Sequence, residues 1–247
     1  MSLSNPKMIN PATKFIEFKG DKGIFQYYDK SLDEPKNVEL QMPFFFIVLD
    51  ELSTISGYSE KLETSFYSNE VHSLSEDTLK VKTFKGGFTA VGKYSEIKDN
   101  LIANGAKFAK SVYAMLVIDA KTFELVHFKF TGAAFGSWIE KKFNVQDFGV
   151  QVKETKQGKK GSVKFQMPVF ERVNISKDKK LIWDSAIEMD KKLQVYIKAY
   201  KAGQLEKMDV QDVVENQTDD NWPMGNNKPE KKDKEFEDIS DVQDLPF

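Results

Sequence analysis

The sequence predicts a mainly β chain, a closed or partly closed antiparallel barrel with a few helices and a disordered acidic C-terminal tail. Three observations carry that expectation. Residues 13–175 break into many short alternating or β-rich runs separated by turn signals. Only three segments show helical spacing, too few for a helix-covered parallel sheet. From residue 204 onward the chain turns polar and charged and loses any sustained apolar period. The expected organisation is a flexible arm over residues 1–12, one barrel domain over 13–203 and a tail over 204–247.

Taken in order, Lys14–Lys19 alternates and, across the turn Gly20–Gly23, pairs with Ile24–Tyr28 as a hairpin. Val38–Leu49 reads as one longer, more buried strand with a break or edge at Pro43. Ser53–Thr78, rich in Ser, Thr and Glu, reads as a long loop with short elements. Leu79–Thr83 and Phe88–Val91 can pair across Lys85-Gly86-Gly87. Tyr94–Asn104 has helical spacing, with Gly105 as its stop. Lys107–Asp119 and Phe123–Thr131 form a strand pair, and a short helix is expected over Ala133–Phe143. Phe148–Lys153 and Ser162–Val173 flank a lysine-bearing tip, Glu154–Gly161. Ser185–Lys201 reads as an amphipathic helix opened by a Ser185/Glu188 capping box. Among barrels the oligonucleotide-binding (OB) type fits best, and a β-sandwich fits almost as well.

Charge is divided along the chain. From Glu206 to Phe247 there are 13 acidic residues against 5 lysines, a net of −8, which leaves a net of +6 on residues 1–205. Of the 36 basic residues one is arginine, Arg172. Arginine is the bidentate reader of guanine edges and lysine a mobile point charge suited to phosphate, so nucleic-acid binding here should depend little on base sequence. The absence of cysteine excludes disulfides, zinc–thiolate sites and thiol nucleophiles. No apolar run reaches membrane-spanning length and no secretion signal is visible, so a cytoplasmic location is expected.

The last residues set an apolar tip behind an acidic spacer: Asp238, Asp241 and Asp244, then Leu245, Pro246 and Phe247. Such an end is a docking peptide. The phenylalanine fills a pocket, its carboxylate meets a base, the aspartates meet a basic rim, and proline lowers the entropy lost on ordering. In Asp241, Asp244, Leu245, Pro246 and Phe247 the chain resembles bacterial single-stranded DNA-binding proteins and their phage counterparts, and the divergent body and lysine bias suggest a phage-encoded version. The resemblance implies an OB barrel that holds single-stranded DNA during replication, recombination and repair, and a tail that recruits replication and repair proteins. No catalysis and no cofactor are implied, and self-association stays open. Val242 and Gln243 dilute the acidic run, and the body is larger than the short bacterial barrel.

Binding a single strand requires cations that follow the phosphates and aromatics on which bases stack. The candidates are Tyr27, Tyr28, Tyr67, Phe84 and Tyr113 for stacking, and Lys82, Lys85, Lys129, Lys153, Lys156, Lys159, Lys160, Lys164 and Arg172 for phosphate. Phe44, Phe45, Phe46 and Trp138 are expected in the core. The competing enzyme reading rests on Gly87–Lys93, which has the spacing of a phosphate-binding loop. Tyr94 stands where that loop needs Ser or Thr to ligand magnesium. His72 and His127 lie in no metal-ligand spacing. A scaffold whose tail serves only solubility is the third reading.

Overall fold

The structure, a computed structural model, describes residues 9–60, 62–87, 89–141, 143, 148–176 and 179–201. The chain divides into two units, Met1–Lys207 and Met208–Phe247, and all described residues belong to the first. The expected tail and its docking residues Asp238, Asp241, Asp244, Leu245, Pro246 and Phe247 lie outside the described residues.

Among the described residues, eleven strands form one sheet: β1 (Lys14–Lys19), β2 (Ile24–Asp29), β3 (Lys36–Leu40), β4 (Phe44–Ser59), β5 (Thr64–Ser68), β6 (Leu79–Thr83), β7 (Thr89–Gly92), β8 (Ala106–Val117), β9 (Phe123–Phe130), β10 (Phe148–Lys160) and β11 (Val163–Asn174). Three helices join them, α1 (Tyr94–Ala103), α2 (Gly132–Lys141) and α3 (Lys180–Lys201). The strand order is β3-β2-β1-β9-β8-β4-β5-β6-β7, and β10 pairs with β4 and β11. The sheet is open rather than closed. Its pairings are antiparallel except β1 with β9, which is parallel.

β4 organises the molecule because it is long enough to serve two cores. Its first half lies between β8 and β10, and its second half between β8 and β5. Phe44, Phe46 and Val48 alternate into the first core. There they meet Phe25, Val112, Phe128, Phe130, Val150, Phe170 and the indole of Trp138 from α2. A register shift between Val48 and Asp50 changes which residues face inward. Glu51 then meets Trp138, whose Nε1 donates to its Oε2 at 2.8 Å, and Lys110 at 2.7 Å. Past the shift, Ile55 enters a second core with Phe66, Leu79, Val81, Ala90 and Leu101 of α1. On the opposite face of the sheet, Ile47 and Met115 are covered by Ala186, Ile182 and Met189 of α3.

Several expectations are corrected. Ser53–Thr78 is not a long loop: it holds the second half of β4 and all of β5, because its buried hydroxyls are bonded. Thr54 Oγ1 lies 3.0 Å from Ser68 Oγ, and Ser53 exchanges backbone hydrogen bonds with Val71. Within Val38–Leu49 the break expected at Pro43 is present, with β3 ending at Leu40 and β4 beginning at Phe44. The lysines of Glu154–Gly161 do not sit in a tip. β10 runs through to Lys160, and the turn falls at Gly161, whose φ of +58° suits glycine. α3 begins at Lys180, so Ser185 is interior to the helix and does not cap it. All eleven described strands belong to one hydrogen-bonded sheet.

Candidate nucleic-acid interface

Alternation along β5, β6 and β7 turns Phe66, Val81 and Ala90 toward α1, which sends Tyr67, Lys82 and Thr89 to the opposite, outer face. Tyr67 and Lys82 are direct cross-strand partners. The Phe84 ring lies 4.7 Å from the Tyr67 ring at 31°, and 39 % of Phe84 remains exposed. On the same face β4 adds Tyr58, 49 % exposed and opposite Ser65, while β8 adds exposed Lys107 opposite Ser56. Lys85, in the following turn, is exposed. Burial raises the Tyr67 hydroxyl above the usual phenol range, so the ring stays neutral at neutral pH. The outward positions 54, 56, 58, 65, 67, 80, 82, 84, 89, 91 and 107 hold no acid. Chemically this is a set of ring faces interleaved with lysines, as a solvated single strand requires.

The β10–β11 ribbon is the second cationic surface. Lys156, Lys159, Lys160 and Lys164 are all exposed on it. Lys159 and Lys164 stand directly opposite one another, an arrangement of like charges that costs stability unless an anion or solvent relieves it. Gly158 makes room for the Phe165 ring, since a Cβ there would lie 2.5 Å from it. The ribbon meets the β1–β2 turn through Gln166, whose N–H donates to the Gly20 carbonyl at 2.7 Å. Lys153 is engaged elsewhere. Its Nζ pairs with Glu171 at 2.7 Å, and that hydrogen bond and charge hold the Glu171 carboxyl below its usual range. Arg172 is exposed on β11, across from Val150.

The remaining candidates divide. Tyr28 is 40 % exposed. Tyr27 packs half-buried against the first core, with Lys14 Nζ 5.0 Å above its ring. Tyr113 is corrected as a stacking residue: it is 1 % exposed, its hydroxyl donates to Glu70 Oε2 at 2.9 Å, and Asn10 Nδ2 donates to it at 3.3 Å. Burial, with the neighbouring Glu70 charge, raises that phenol well above its ordinary range. Lys129 is corrected as a phosphate ligand. It points away from the core as its alternation with Phe128 and Phe130 requires, but burial lowers its ammonium below the ordinary lysine range, and its charge faces Glu17 and Glu70. Tyr58 and Lys107 were missed. Both sit at outward positions of strands, and recognising β4 as continuous to Ser59 would have found them.

The phosphate-loop spacing of Gly87–Lys93 leads into a helix start that the chain itself caps. The described part of Gly87–Lys93 is mostly the short edge strand β7, and the following helix start is occupied by the chain itself: the Lys93 N–H donates to Glu96 Oε2 at 2.9 Å. That carboxylate lies where a phosphate-binding loop presents open amides. His72 and His127 each face one carboxylate, Asp50 and Glu70 respectively.

No protein-family model, no curated protein and no solved structure matches this chain. Among the described residues no helix is long and apolar enough to cross a membrane.

Proposed function

We propose that this protein binds single-stranded DNA without base-sequence preference, through the outer face of β4–β7 and the β10–β11 ribbon, and protects it during replication, recombination and repair. The observation that carries the reading is the ring pair of half-buried Tyr67 and exposed Phe84 beside Lys82 and Lys85, on a strand face without acids. Bases stack on such rings whatever their identity, and lysines neutralise phosphate without reading it.

The arrangement of strands supports an OB-type barrel as the scaffold. β4, β8, β9, β10 and β11 all contribute to one aromatic core, and β4 pairs with both β8 and β10. Barrels of this type bind oligonucleotides through the loops between strands one and two and between strands four and five. Counted from β4, the first of these connections is the insertion bearing Tyr67, Lys82 and Phe84. The second is the ribbon end bearing Lys159 and Lys160. On this reading both surfaces would correspond to the ligand-binding loops of such a barrel.

The terminal motif from Asp238 to Phe247 supports a second role, recruiting replication and repair proteins, on the sequence argument alone. The whole reading is tested by titrating the protein with oligo-dT and with duplex of equal length while following tryptophan fluorescence. Tighter binding to the single strand is expected, and equal or tighter binding to duplex rejects the proposal.

A further inference from the structure

Resting on the single-strand reading above, we propose that Phe165 is a base-stacking residue, so that the β10–β11 ribbon holds a base as well as phosphates. Phe165 stands directly opposite Gly158 in the ribbon. A Cβ at Gly158 would lie 2.5 Å from the Phe165 Cε2 and 2.8 Å from its Cζ, so the ring occupies the space a side chain there would fill. One side of the ring is thereby set against backbone, and the other is turned away from it. Phe165 is only half-buried, and among the described residues it packs against no other ring.

The surroundings leave that second side open. β10 pairs with β4 from Gly149 to Val152, and beyond Val152 the ribbon runs clear of β4. Gln166 is turned toward the β1–β2 turn: a Cβ at Gly23 would lie 2.9 Å from its Cγ, and its backbone N–H donates to the Gly20 carbonyl at 2.7 Å. Phe165, one residue along the strand, therefore faces the other way, together with Met167 and the 61 % exposed Val163. The same relation of ring to glycine recurs at Phe45 and Gly149, but Phe45 packs in the core beneath α3, with Ile175 and Ile182. Phe165 belongs to none of the three cores described above.

Charge selects the occupant. From Thr155 to Phe170 the chain has four lysines and no acid, and the flanking Glu171 is held by Lys153 at 2.7 Å. Lys156 and Lys160 are exposed on the ring's own face, each two residues from Gly158, about 7 Å along the strand in either direction. A base on the ring thus has one cation ahead of it and one behind, along the path of the phosphates. A second copy of the chain fits poorly, because a two-fold contact through this face would set these lysines against their own counterparts. An apolar cap over a bare glycine stabilises a strand whatever its shape, whereas stacking requires an aromatic face, so the two roles part at Phe165→Leu.

The test is titration of the full chain with labelled oligo-dT over a range of salt concentrations, read by anisotropy, for the parent, Phe165→Leu and Phe165→Trp. Phe165→Leu should weaken binding about tenfold, toward the low end for one lost base–ring stack because leucine keeps an apolar contact. The slope of log affinity against log salt should stay the same, since no charge is removed. Phe165→Trp should bind within about threefold of the parent and show tryptophan quenching by unlabelled oligo-dT beyond the parent's own. Undiminished affinity in Phe165→Leu overturns the proposal. So does a loss accompanied by a flattened slope, because the ring then serves only to place the lysines. If Phe165→Leu fails to fold, Phe165→Trp decides, and no added quenching overturns the proposal. A parent that does not bind oligo-dT rejects the single-strand reading and this proposal together, whereas a binding parent with unaffected variants rejects this proposal alone.

Discussion

Phe84→Ala is the sharpest probe of the proposed binding face. Its ring is 39 % exposed and touches Tyr67 at 4.7 Å, so truncation removes one stacking surface and leaves both cores intact. Base–aromatic stacking contributes about 1–3 kcal/mol per base, which converts to a loss of roughly 5- to 150-fold in affinity for oligo-dT. The stability cost combines the ring–ring contact, about 0.5–1.5 kcal/mol, with the covered part of the ring, about 1–2 kcal/mol, a fall in Tm of several degrees for a domain of this size. Phe66→Ala is the internal control. Phe66 is 1 % exposed and lies on the same strand pair but faces α1. Its loss should cost about 3–5 kcal/mol in stability, while the folded fraction keeps its affinity. Fluorescence titration and thermal melting on both variants separate the two effects. If Phe84→Ala and Tyr67→Ala both bind oligo-dT as tightly as the parent, the outer face of β4–β7 is not the binding surface, and the central argument for function falls.

Salt provides a second check: the logarithm of affinity should fall with the logarithm of salt at about −0.7 per phosphate neutralised, with little dependence on base. Replacing Lys156, Lys159 and Lys160 with Ala should flatten that slope and leave Tm nearly unchanged, since all three are exposed; an unchanged slope assigns them to solubility. Deleting residues 206–247 removes a net charge of −8 and should tighten DNA binding most clearly at low salt, whereas equal affinity there refutes competition by the tail. Removing only Leu245, Pro246 and Phe247 should change DNA affinity little but abolish capture of replication or repair proteins; retained capture rejects the docking tip.

The parts of this fold legible in sequence are those where one face of a strand is greasy and the other is not. Phe123–Phe130 and the hairpin Lys14–Asp29 show this, and both strand registers follow from it. Lys82 lies on such a strand, whereas Tyr67 falls in the segment read as a loop and was singled out only because a phenol tolerates a half-wet position. Ser53–Ser59 was not, because its strand interior is polar: hydrogen bonds from Ser53 and Thr54 offset the burial of their hydroxyls, and a hydropathy period does not register that compensation. Tyr113 and Lys129 failed for a different cause. Alternation correctly turns both away from the first core, but what lies beyond them is set by tertiary packing: the 9–12 segment and Glu70 reach Tyr113, and Glu17 and Glu70 face Lys129. Outward is therefore not the same as exposed.

That distinction bears on why one half of the outer face suits nucleic acid and the other does not. Toward β8 and β9 the outward side chains include acids, Asp50 on β4 and Glu70 in the loop, and these are met by α3, the histidines and Lys129. Leaving them open would repel phosphate and expose Met115, which is completely buried beneath the helix. Toward β5, β6 and β7 the outward positions carry hydroxyls, rings and lysines without an acid. α1, the helix of that region, is spent on the inner side, against Phe66, Val81 and Ala90. Exposed rings occur on both halves, Tyr58 and Phe84 on one and Phe15 and Tyr28 on the other, so what distinguishes the β5–β7 half is that its outward strand positions carry lysines and no acid. On the binding proposal it is the combination that matters: a stacking surface for a single strand needs rings and lysines side by side without acids among them, and Tyr58, Phe84, Lys82 and Lys107 meet that condition.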